Sequence, residues 1–121
     1  MSMTVLTVDD SRTMREMLRL ALADAGFRVI QAEDGIHGLE VLQGETPQVI
    51  VTDINMPRMD GFGFIEEVRG DQRYRGIPIL VLTTESDSEK KNRARMAGAT
   101  GWIVKPFNPV KLVDAIRRVA A

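Results

Sequence analysis

The sequence predicts an α/β fold in which five parallel strands form an open sheet with helices on both faces. Five short runs rich in β-branched residues recur along the chain, and a helical pattern follows each of them. Each run is apolar at nearly every position, which is typical of parallel strands buried on both faces. Strict alternation of strands and helices favours a doubly wound sheet. The runs are Thr4–Val8, Arg28–Ala32, Val49–Thr52, Ile79–Leu82 and Trp102–Val104.

The first three helices are predicted from apolar residues at i, i+3 and i+4 spacing and from residues that start or stop a helix. Gly26 follows the first pattern and is a typical stop, because glycine readily adopts the left-handed conformation that ends helices. Asp34 and Asp60 are placed to cap the second and third helices. The predicted inward-facing residues are, in chain order, Met14, Leu18, Ala21, Leu22, Ala25, Ile36, Leu39, Leu42, Phe64, Ile65 and Val68.

The last two helices carry clear start signals. The segment Ser86–Glu89 has the spacing of a capping box, which would open the fourth helix. Asn108 before Pro109 predicts the start of the fifth helix, since proline fits the first helical position. We find no repeat, linker or low-complexity tract, so residues 1–121 are predicted to form a single domain with no output domain. The apolar stripe of the fifth helix is Leu112, Val113, Ile116 and Val119.

Charge and composition exclude several classes of function. The chain has 16 Lys and Arg against 17 Asp and Glu, a net charge of −1, whereas a sequence-independent nucleic-acid binder or an anionic-membrane binder carries a basic excess. The absence of cysteine excludes disulfides and thiolate chemistry, and the lone His37 excludes a two-histidine metal site. No basic, apolar signal peptide opens the chain, and no apolar run nears the ~20 residues of a membrane span. We therefore expect a cytoplasmic protein.

Polar side chains follow four of the five predicted strands. Asp9 and Asp10 follow the first strand, Asp53 the third, Thr83 the fourth and Lys105 the fifth. Because the carboxyl ends of parallel strands share one edge of a sheet, we expect these groups to meet in the crevice where such folds bind ligands. Adjacent carboxylates repel one another unless a cation neutralises them, and an all-oxygen cluster selects a hard ion, of which Mg²⁺ fits best.

This set of residues favours phosphoryl chemistry. A carboxylate beside Mg²⁺ can attack phosphorus to give an acyl phosphate, and Lys105 and the hydroxyl of Thr83 are placed to bind the phosphoryl oxygens. A single aspartate at a strand end is more often a helix cap, a role open to Asp10 or Ser11, and a lysine in a loop is usually just solvated. A coherent set on four strand ends is harder to explain in that way. We therefore interpret this edge as a site for phosphoryl transfer onto and off an aspartate.

The strand ends also carry four recognisable segments: Asp9–Asp10, Asp53–Gly61 with the sequence DINMPRMDG, Thr83–Glu85, and Lys105–Phe107 with the sequence KPF. Together these segments resemble the receiver domains of bacterial two-component response regulators, and most of all the single-domain chemotaxis regulators of that family. The resemblance covers essentially the whole chain, and the combination of motifs is highly specific. It implies a flavodoxin-like (βα)5 fold with strand order 2-1-3-4-5.

The resemblance implies a phosphoacceptor and a metal site. Asp53 looks like the residue that accepts a phosphoryl group from a phosphohistidine of a sensor histidine kinase. Asp10 and Asp53 would bind Mg²⁺ through their side chains and Asn55 through its backbone carbonyl, with Asp9 acting through water. On this reading the protein is a self-phosphorylating and autodephosphorylating signalling protein, and not an enzyme acting on separate substrates.

The same resemblance assigns switching and modulating residues. Lys105 would pair with the phosphoryl group after a cis bond to Pro106, and Thr83 would be the switch hydroxyl. Asn55 and Glu85 match positions that tune dephosphorylation in the family.

The route by which the signal leaves the domain is also implied by the family. Trp102 stands where related proteins commonly carry a tyrosine or phenylalanine that swings inward on activation. The output surface is formed by the fourth helix, the fifth strand and the fifth helix, and signalling there is by altered protein binding. The implied partners are the kinase and a downstream protein, while nucleic acid and membranes are not expected, and the chain is expected to be a monomer.

Three functional alternatives remain open from the sequence. Within the receiver class, a ligand of the flagellar motor switch in chemotaxis competes with a regulator of kinases in a phosphorelay. From another class, a Mg²⁺-dependent phosphohydrolase would use Asp53 as a nucleophile on small substrates. That enzyme needs a substrate pocket or cap, for which 121 residues leave little room.

Overall fold

The computed structural model describes residues 3–121 and contains the predicted parallel sheet. The strands are β1 (Thr4–Val8), β2 (Arg28–Ala32), β3 (Val49–Thr52), β4 (Ile79–Thr83) and β5 (Gly101–Val104). They lie side by side in the order β2-β1-β3-β4-β5, which confirms the predicted fold class and strand order. β4 extends one residue beyond the prediction, to Thr83, and β5 begins one residue earlier, at Gly101.

One helix follows each strand, and the helices cover both faces of the sheet. They are α1 (Arg12–Asp24), α2 (Gly35–Gly44), α3 (Gly61–Gly70), α4 (Ser88–Ala97) and α5 (Pro109–Ala120). Buried residues of α1 and α5 pack on one face, and those of α2, α3 and α4 pack on the other. Over residues 3–121, none of the helices combines the length and apolarity that a membrane crossing requires.

The sheet separates two apolar cores. Leu6 and Ile50 face the core under α2, α3 and α4, whereas their neighbours Val5 and Val51 face the core under α1 and α5. Each fully buried side chain of this kind contributes about 1.5–3 kcal/mol relative to exposure. These cores fix the positions of the strand ends, and they offset the cost of burying charged groups there.

The two edge strands are more exposed than the sequence predicts. β3 and β4 are buried throughout, but β2 and β5 are only partly covered, and Val104 in β5 is 43% exposed. The prediction that every strand is buried on both faces is therefore wrong for the edges. An apolar run indicates a strand, but it does not reveal whether that strand has one neighbour or two.

The residue that caps α1 is not one of the aspartates of the acidic cluster. The hydroxyl of Ser11 accepts the backbone N–H of Met14 at 3.1 Å, so Ser11 is the N-cap. Asp10 remains exposed beside it and is free of that role. At the other end of the helix, Gly26 has φ of +95° and stops α1 as predicted.

Three further predicted caps are confirmed, namely Asp34, Asp60 and Asn108. Each side chain accepts the backbone N–H of the residue three positions later, which begins α2, α3 and α5 respectively. The inward face of α2 differs from the prediction, because Ile36 and Leu39 are only half-buried.

α4 begins differently from the prediction and is weakly attached. Its N-cap is Asp87, whose carboxylate accepts the N–H of Glu89 at 3.1 Å, so the capping box from Ser86 does not form. Asp87 places a carboxylate one residue closer to the helix than the Ser86 hydroxyl, and this carboxylate accepts the N–H that Ser86 would cap in a capping box. The fully buried residue of α4 is Ala94, and the Arg93 guanidinium lies 4.0 Å above the ring of Phe62.

Candidate functional site

Two carboxylates at the end of β1 take different positions. Asp9 is 2% exposed, and one of its oxygens accepts the N–H of Ser11 at 2.9 Å. Arg15, in the first turns of α1, donates to the carbonyl of Asp9 at 2.7 Å and so holds the turn between β1 and α1. Asp10 points its exposed side chain to the same edge of the sheet.

Asp53 follows the central strand β3 and lies largely buried. Its backbone N–H continues the sheet by donating to the carbonyl of Val8 at 2.9 Å. One carboxylate oxygen accepts the N–H of Ile54 at 2.6 Å, which fixes the side-chain orientation. The other oxygen is directed at the crevice, where it meets Lys105.

Lys105 bridges the two buried carboxylates. Its ammonium nitrogen lies 2.9 Å from Oδ2 of Asp9 and 2.9 Å from Oδ2 of Asp53. The backbone positions this side chain, because the N–H of Lys105 donates to the carbonyl of Thr83 at 2.8 Å, and the following bond to Pro106 is cis, as the resemblance implied. The ammonium of Lys105 therefore offsets the repulsion between the carboxylates of Asp9 and Asp53. The sequence analysis assigned that role to a metal ion.

Burial and pairing act in opposite directions on these groups. Burial raises the pKa of Asp9 above its ordinary value of 3.8, although its hydrogen bonds from Lys105 and Ser11 act to lower it. Burial would lower the pKa of Lys105, but hydrogen bonds to Asp9 and Asp53 outweigh it and raise that pKa above 10.5. Lys105 is therefore protonated at neutral pH, and the cluster still favours additional positive charge.

The donor set of the cluster fits Mg²⁺. Asp9, Asp10 and Asp53 each offer a carboxylate oxygen, and these atoms lie within 4.8 Å of one another. Hard divalent ions prefer oxygen ligands, and Mg²⁺ is usually held by one or two carboxylates with other positions left to water and phosphate. The exposed position of Asp10 leaves the cluster accessible from solvent on that side.

Thr83 lies at the end of β4 and is fully buried. Its hydroxyl oxygen accepts the backbone N–H of Glu85 at 3.3 Å. The indole N–H of Trp102 donates to the backbone carbonyl of Glu85 at 3.1 Å. A chain of hydrogen bonds therefore links the Thr83 hydroxyl, the backbone of Glu85 and the half-buried indole on β5.

A second set of contacts spans the rim of the site. The amide of Asn55, in the loop after β3, donates to the carboxylate of Glu85 at 3.1 Å. Lys90 on α4 lies 3.1 Å from the same carboxylate. The hydrogen bond from Asn55, followed by the contact with Lys90, lowers the pKa of Glu85. The carboxylate of Glu85 thus connects Asn55 in the rim to Lys90 on α4.

The loop between β3 and α3 returns very close to Asp53. The N–H of Gly61 donates to the carbonyl of Ile54 at 2.8 Å, and a Cβ atom at Gly61 would lie 2.3 Å from the carbonyl oxygen of Asp53. The absence of a side chain is what permits this approach. The first turn of α3 therefore packs directly against the backbone of Asp53.

Arg58 in the same loop binds Asp34, the residue that caps α2. Arg58 has φ of +65°, an uncommon value for a residue with a side chain, and its guanidinium pairs with both carboxylate oxygens of Asp34 at 2.8 and 3.0 Å. The N–H of Gly35 also donates to the carbonyl of Met59 at 3.2 Å.

The predicted residues assemble in two groups. Asp9, Asp10, Asp53 and Lys105 meet at one point, while Asn55, Glu85, Thr83 and Trp102 form the rim and the hydrogen-bonded chain behind it.

Sequence reasoning missed several partners of these residues. Charge spacing alone gives no reason to pair Arg58 with Asp34, which are 24 residues apart. Arg15 follows the acidic turn closely in the chain, and a search for donors to the turn carbonyls could have found it. Lys90 belongs to a run of basic residues that reads as an ordinary solvated helix face.

Comparison with known proteins finds relatives that span nearly the whole chain. Residues 5–117 match the model of a family described as the response regulator receiver domain. Chemotaxis protein CheY1 of Helicobacter pylori is 39% identical over 119 residues, which cover 97% of this chain and 96% of that protein. Chemotaxis protein CheY-3 of Vibrio cholerae is 36% identical, with 98% of this chain and 92% of that protein covered.

Solved structures of response regulators have the same fold as this chain. The chemotaxis response regulator CheY4 of Vibrio cholerae superposes with a TM-score of 0.92 at 46% identity, covering 98% of this chain and 99% of that one. A response regulator structure from Chloroflexus aurantiacus reaches a TM-score of 0.94 at 33% identity, with coverage of 99% and 98%. All the site residues described above lie within residues 5–117, which the family model matches.

Proposed function

The chain belongs to the response regulator receiver domain family, and from that membership we propose that it is a phosphoaccepting signalling protein whose acceptor is Asp53. Receiver domains of the CheY type take phosphate from histidine kinases and act on downstream targets. The observation that carries the proposal is the meeting of Asp53, Lys105 and Asp9 at the carboxyl edge of the sheet, with 2.9 Å between the ammonium and each carboxylate.

The proposed reaction is a transfer between two protein side chains. A carboxylate oxygen of Asp53 attacks phosphorus, the bond from phosphorus to the histidine nitrogen of the kinase breaks, and its electron pair remains on the imidazole. The ammonium of Lys105 binds the phosphoryl oxygens, and the Thr83 hydroxyl turns toward them from its contact with Glu85. Attack of water on phosphorus later releases inorganic phosphate and restores the carboxylate.

Four residues would hold the metal that this family uses. We assign the side chains of Asp10 and Asp53 and the backbone carbonyl of Asn55 as ligands, with Asp9 acting through water. When bound, Mg²⁺ neutralises charge on the phosphoryl oxygens and orients them. The assignment is supported by the geometry, because a carboxylate oxygen from each of Asp9, Asp10 and Asp53 lies within 4.8 Å of the others.

The output surface consists of α4, β5 and α5. Each of these elements exposes an apolar side chain, namely Met96, Val104 and Val110, at 78%, 43% and 70% exposure. We propose that phosphorylation changes the binding of a downstream protein here, in a cytoplasmic monomer. The names of the similar proteins support a role in chemotaxis. We propose the flagellar motor switch as the downstream partner, with a phosphorelay kinase as the alternative.

The first prediction separates a receiver from a phosphohydrolase. With acetyl phosphate as donor and Mg²⁺ present, intact-mass spectrometry should show a single phosphoryl group per chain. The linkage should be stable in acid and labile in base, as expected for an acyl phosphate. Turnover of a small phosphate ester such as p-nitrophenyl phosphate, without a stoichiometric phosphoprotein, would instead favour the phosphohydrolase.

The second prediction concerns Trp102, the single tryptophan and therefore a fluorescence reporter without engineering. If Thr83 turns toward a phosphoryl group, it leaves the N–H of Glu85, and the carbonyl that the indole N–H contacts shifts with it. We expect phosphorylation to change the emission of Trp102 beyond the change caused by Mg²⁺ alone. Thr83→Ala should reduce that change while Asp53 still accepts phosphate.

The matched control for this experiment is Thr84→Ala, which removes an exposed hydroxyl from the adjacent residue. This variant should behave like the unaltered chain. An emission that stays constant during independently verified phosphorylation would show that Trp102 is static and only fills space.

A further inference from the structure

The loop of residues 53–60 joins the phosphoacceptor to α3 and carries Asn55, whose carbonyl is assigned above as a Mg²⁺ ligand. Arg58, three residues later, has φ of +65°. This left-handed conformation is costly for a residue that carries a Cβ atom. It persists only where surrounding contacts hold it, so the contacts of Arg58 contribute to the path of the loop, beside the hydrogen bonds of Gly61 and Gly35.

Those contacts are concentrated on one carboxylate. Nε of Arg58 lies 2.8 Å from Oδ2 of Asp34, and Nη2 lies 3.0 Å from Oδ1, which is the paired geometry that a guanidinium and a carboxylate favour. The Asp34 side chain is 4% exposed, and it also accepts the N–H of His37 as the cap of α2. The hydrogen bonds from Arg58 lower the pKa of Asp34, so the pair is charged at neutral pH.

The Asp34 carboxylate lies where α2 and the loop are in close contact, whereas Asn55 is exposed. A Cβ atom at Gly35 would lie 2.7–2.9 Å from the side chain and the carbonyl oxygen of Met59, and the N–H of Gly35 donates to that carbonyl at 3.2 Å, so α2 and the loop are in close contact beside the ion pair. Asn55, by contrast, is exposed, and its side chain contacts Glu85 across the rim. The geometry at Asn55 therefore depends on how its neighbours in the loop are fixed.

We propose that the Asp34–Arg58 pair positions the metal site: it holds the loop after β3 so that the Asn55 carbonyl faces the cluster of Asp9, Asp10 and Asp53. Arg58 and Asp34 are positioning residues, since neither belongs to the cluster. This inference rests on the proposed function, because it concerns the Mg²⁺ site through which that function operates.

The test compares Mg²⁺ affinity with stability in the unphosphorylated protein. Two variants break the pair from opposite sides: Arg58→Ala removes the guanidinium, and Asp34→Asn removes the charge but keeps an oxygen that can cap α2. The Mg²⁺ dissociation constant is measured by isothermal titration calorimetry, and the midpoint of thermal unfolding is measured in the presence of a chelator.

We expect the Mg²⁺ dissociation constant to rise about three- to tenfold in each variant, at or below the lower end of effects seen when groups that orient metal ligands are removed. The Mg²⁺ dissociation constant of the double variant should not exceed that of the weaker-binding single variant, because either change alone breaks the pair. The Mg²⁺ dissociation constant of Arg58→Gly should lie between those of Arg58→Ala and the unaltered chain. Glycine relieves the left-handed strain but still lacks the guanidinium that binds Asp34.

Arg28 and Glu45 provide the matched control. Arg28 also makes two hydrogen bonds to one carboxylate, at 3.0 and 2.8 Å, but it lies at the start of β2, at the opposite end of the strands from the site. Arg28→Ala should leave the Mg²⁺ dissociation constant unchanged.

Each outcome has a defined meaning. A lower unfolding midpoint with an unchanged Mg²⁺ dissociation constant in Arg58→Ala and Asp34→Asn would show that the pair is only structural and would overturn the inference. Additive effects in the double variant would also overturn it, since the two residues would then act separately. If Arg58→Ala does not fold, Asp34→Asn and Arg58→Gly give the same comparison. A failure of the unaltered chain to bind Mg²⁺ would overturn the proposed metal site itself, which distinguishes that failure from an effect of the pair.

Discussion

Replacing Asp53 with asparagine is expected to abolish phosphorylation while the fold is retained. The amide oxygen can still accept the N–H of Ile54, so the side chain keeps its orientation, but an amide is a poor nucleophile toward phosphorus. Incorporation of phosphate from acetyl phosphate or a histidine kinase should fall by more than about a hundredfold, since removing a nucleophile costs at least that in mutational series. Intact-mass spectrometry measures the loss directly.

Asp60→Asn is the control for this change. It converts the same chemical group in the same loop, and asparagine also serves as an N-cap, so α3 should still start at Gly61. Phosphorylation should be unaffected in this variant. An undiminished label in Asp53→Asn would mean that another carboxylate of the cluster is the acceptor.

The second large effect is expected from Gly61→Ala. The added Cβ would lie 2.3 Å from the carbonyl oxygen of Asp53 and 2.8 Å from Cα of Ile54. Both are backbone atoms, so no side-chain rotation relieves the contact and the loop itself must move. Overpacking of this kind costs about 2–3 kcal/mol, which corresponds to a fall in the unfolding midpoint of about 10 °C. Calorimetric or circular-dichroism melting curves measure it.

Gly70→Ala tests the same substitution at the other end of α3. A Cβ atom at Gly70 meets nothing within 4 Å, so the expected change in the free energy of unfolding is between zero and a gain of about 1 kcal/mol. An equally small change in Gly61→Ala would show that the loop adapts without cost, contrary to the close approach described here.

The sequence predicted the features that depend on local patterns. The five strands lie within one residue of their predicted bounds, because short runs rich in apolar and β-branched residues mark both the buried strands and the edge strands. The meeting of Asp9, Asp10 and Asp53 followed from topology, since residues at the carboxyl ends of parallel strands share an edge.

Features that depend on packing were not predictable in the same way. The exposure of β5 follows from its place at the edge of the sheet, and the start of α4 at Ser88 from a competition between neighbouring caps. Lys105 and Asp9 were expected at the same edge of the sheet, but the specific ion pair between them, across 96 residues of sequence, was not predicted. Side-chain pairing over such separations is determined by the assembled fold and leaves no periodic signal.

The sparse attachment of α4 has a consequence for how this molecule expresses a signal. Ala94 is its fully buried residue, a cation–π contact from Arg93 to Phe62 is worth about 0.5–1 kcal/mol, and Lys90 pairs with Glu85, so we expect the docked population of the helix to change at low cost. A coupling free energy of about 1.4 kcal/mol from the phosphoryl group would change that population ratio tenfold, while the two cores keep the sheet intact. If the proposed function holds, we expect part of the output to be a redistribution between states of this helix, while the two apolar cores hold the acidic cluster in place.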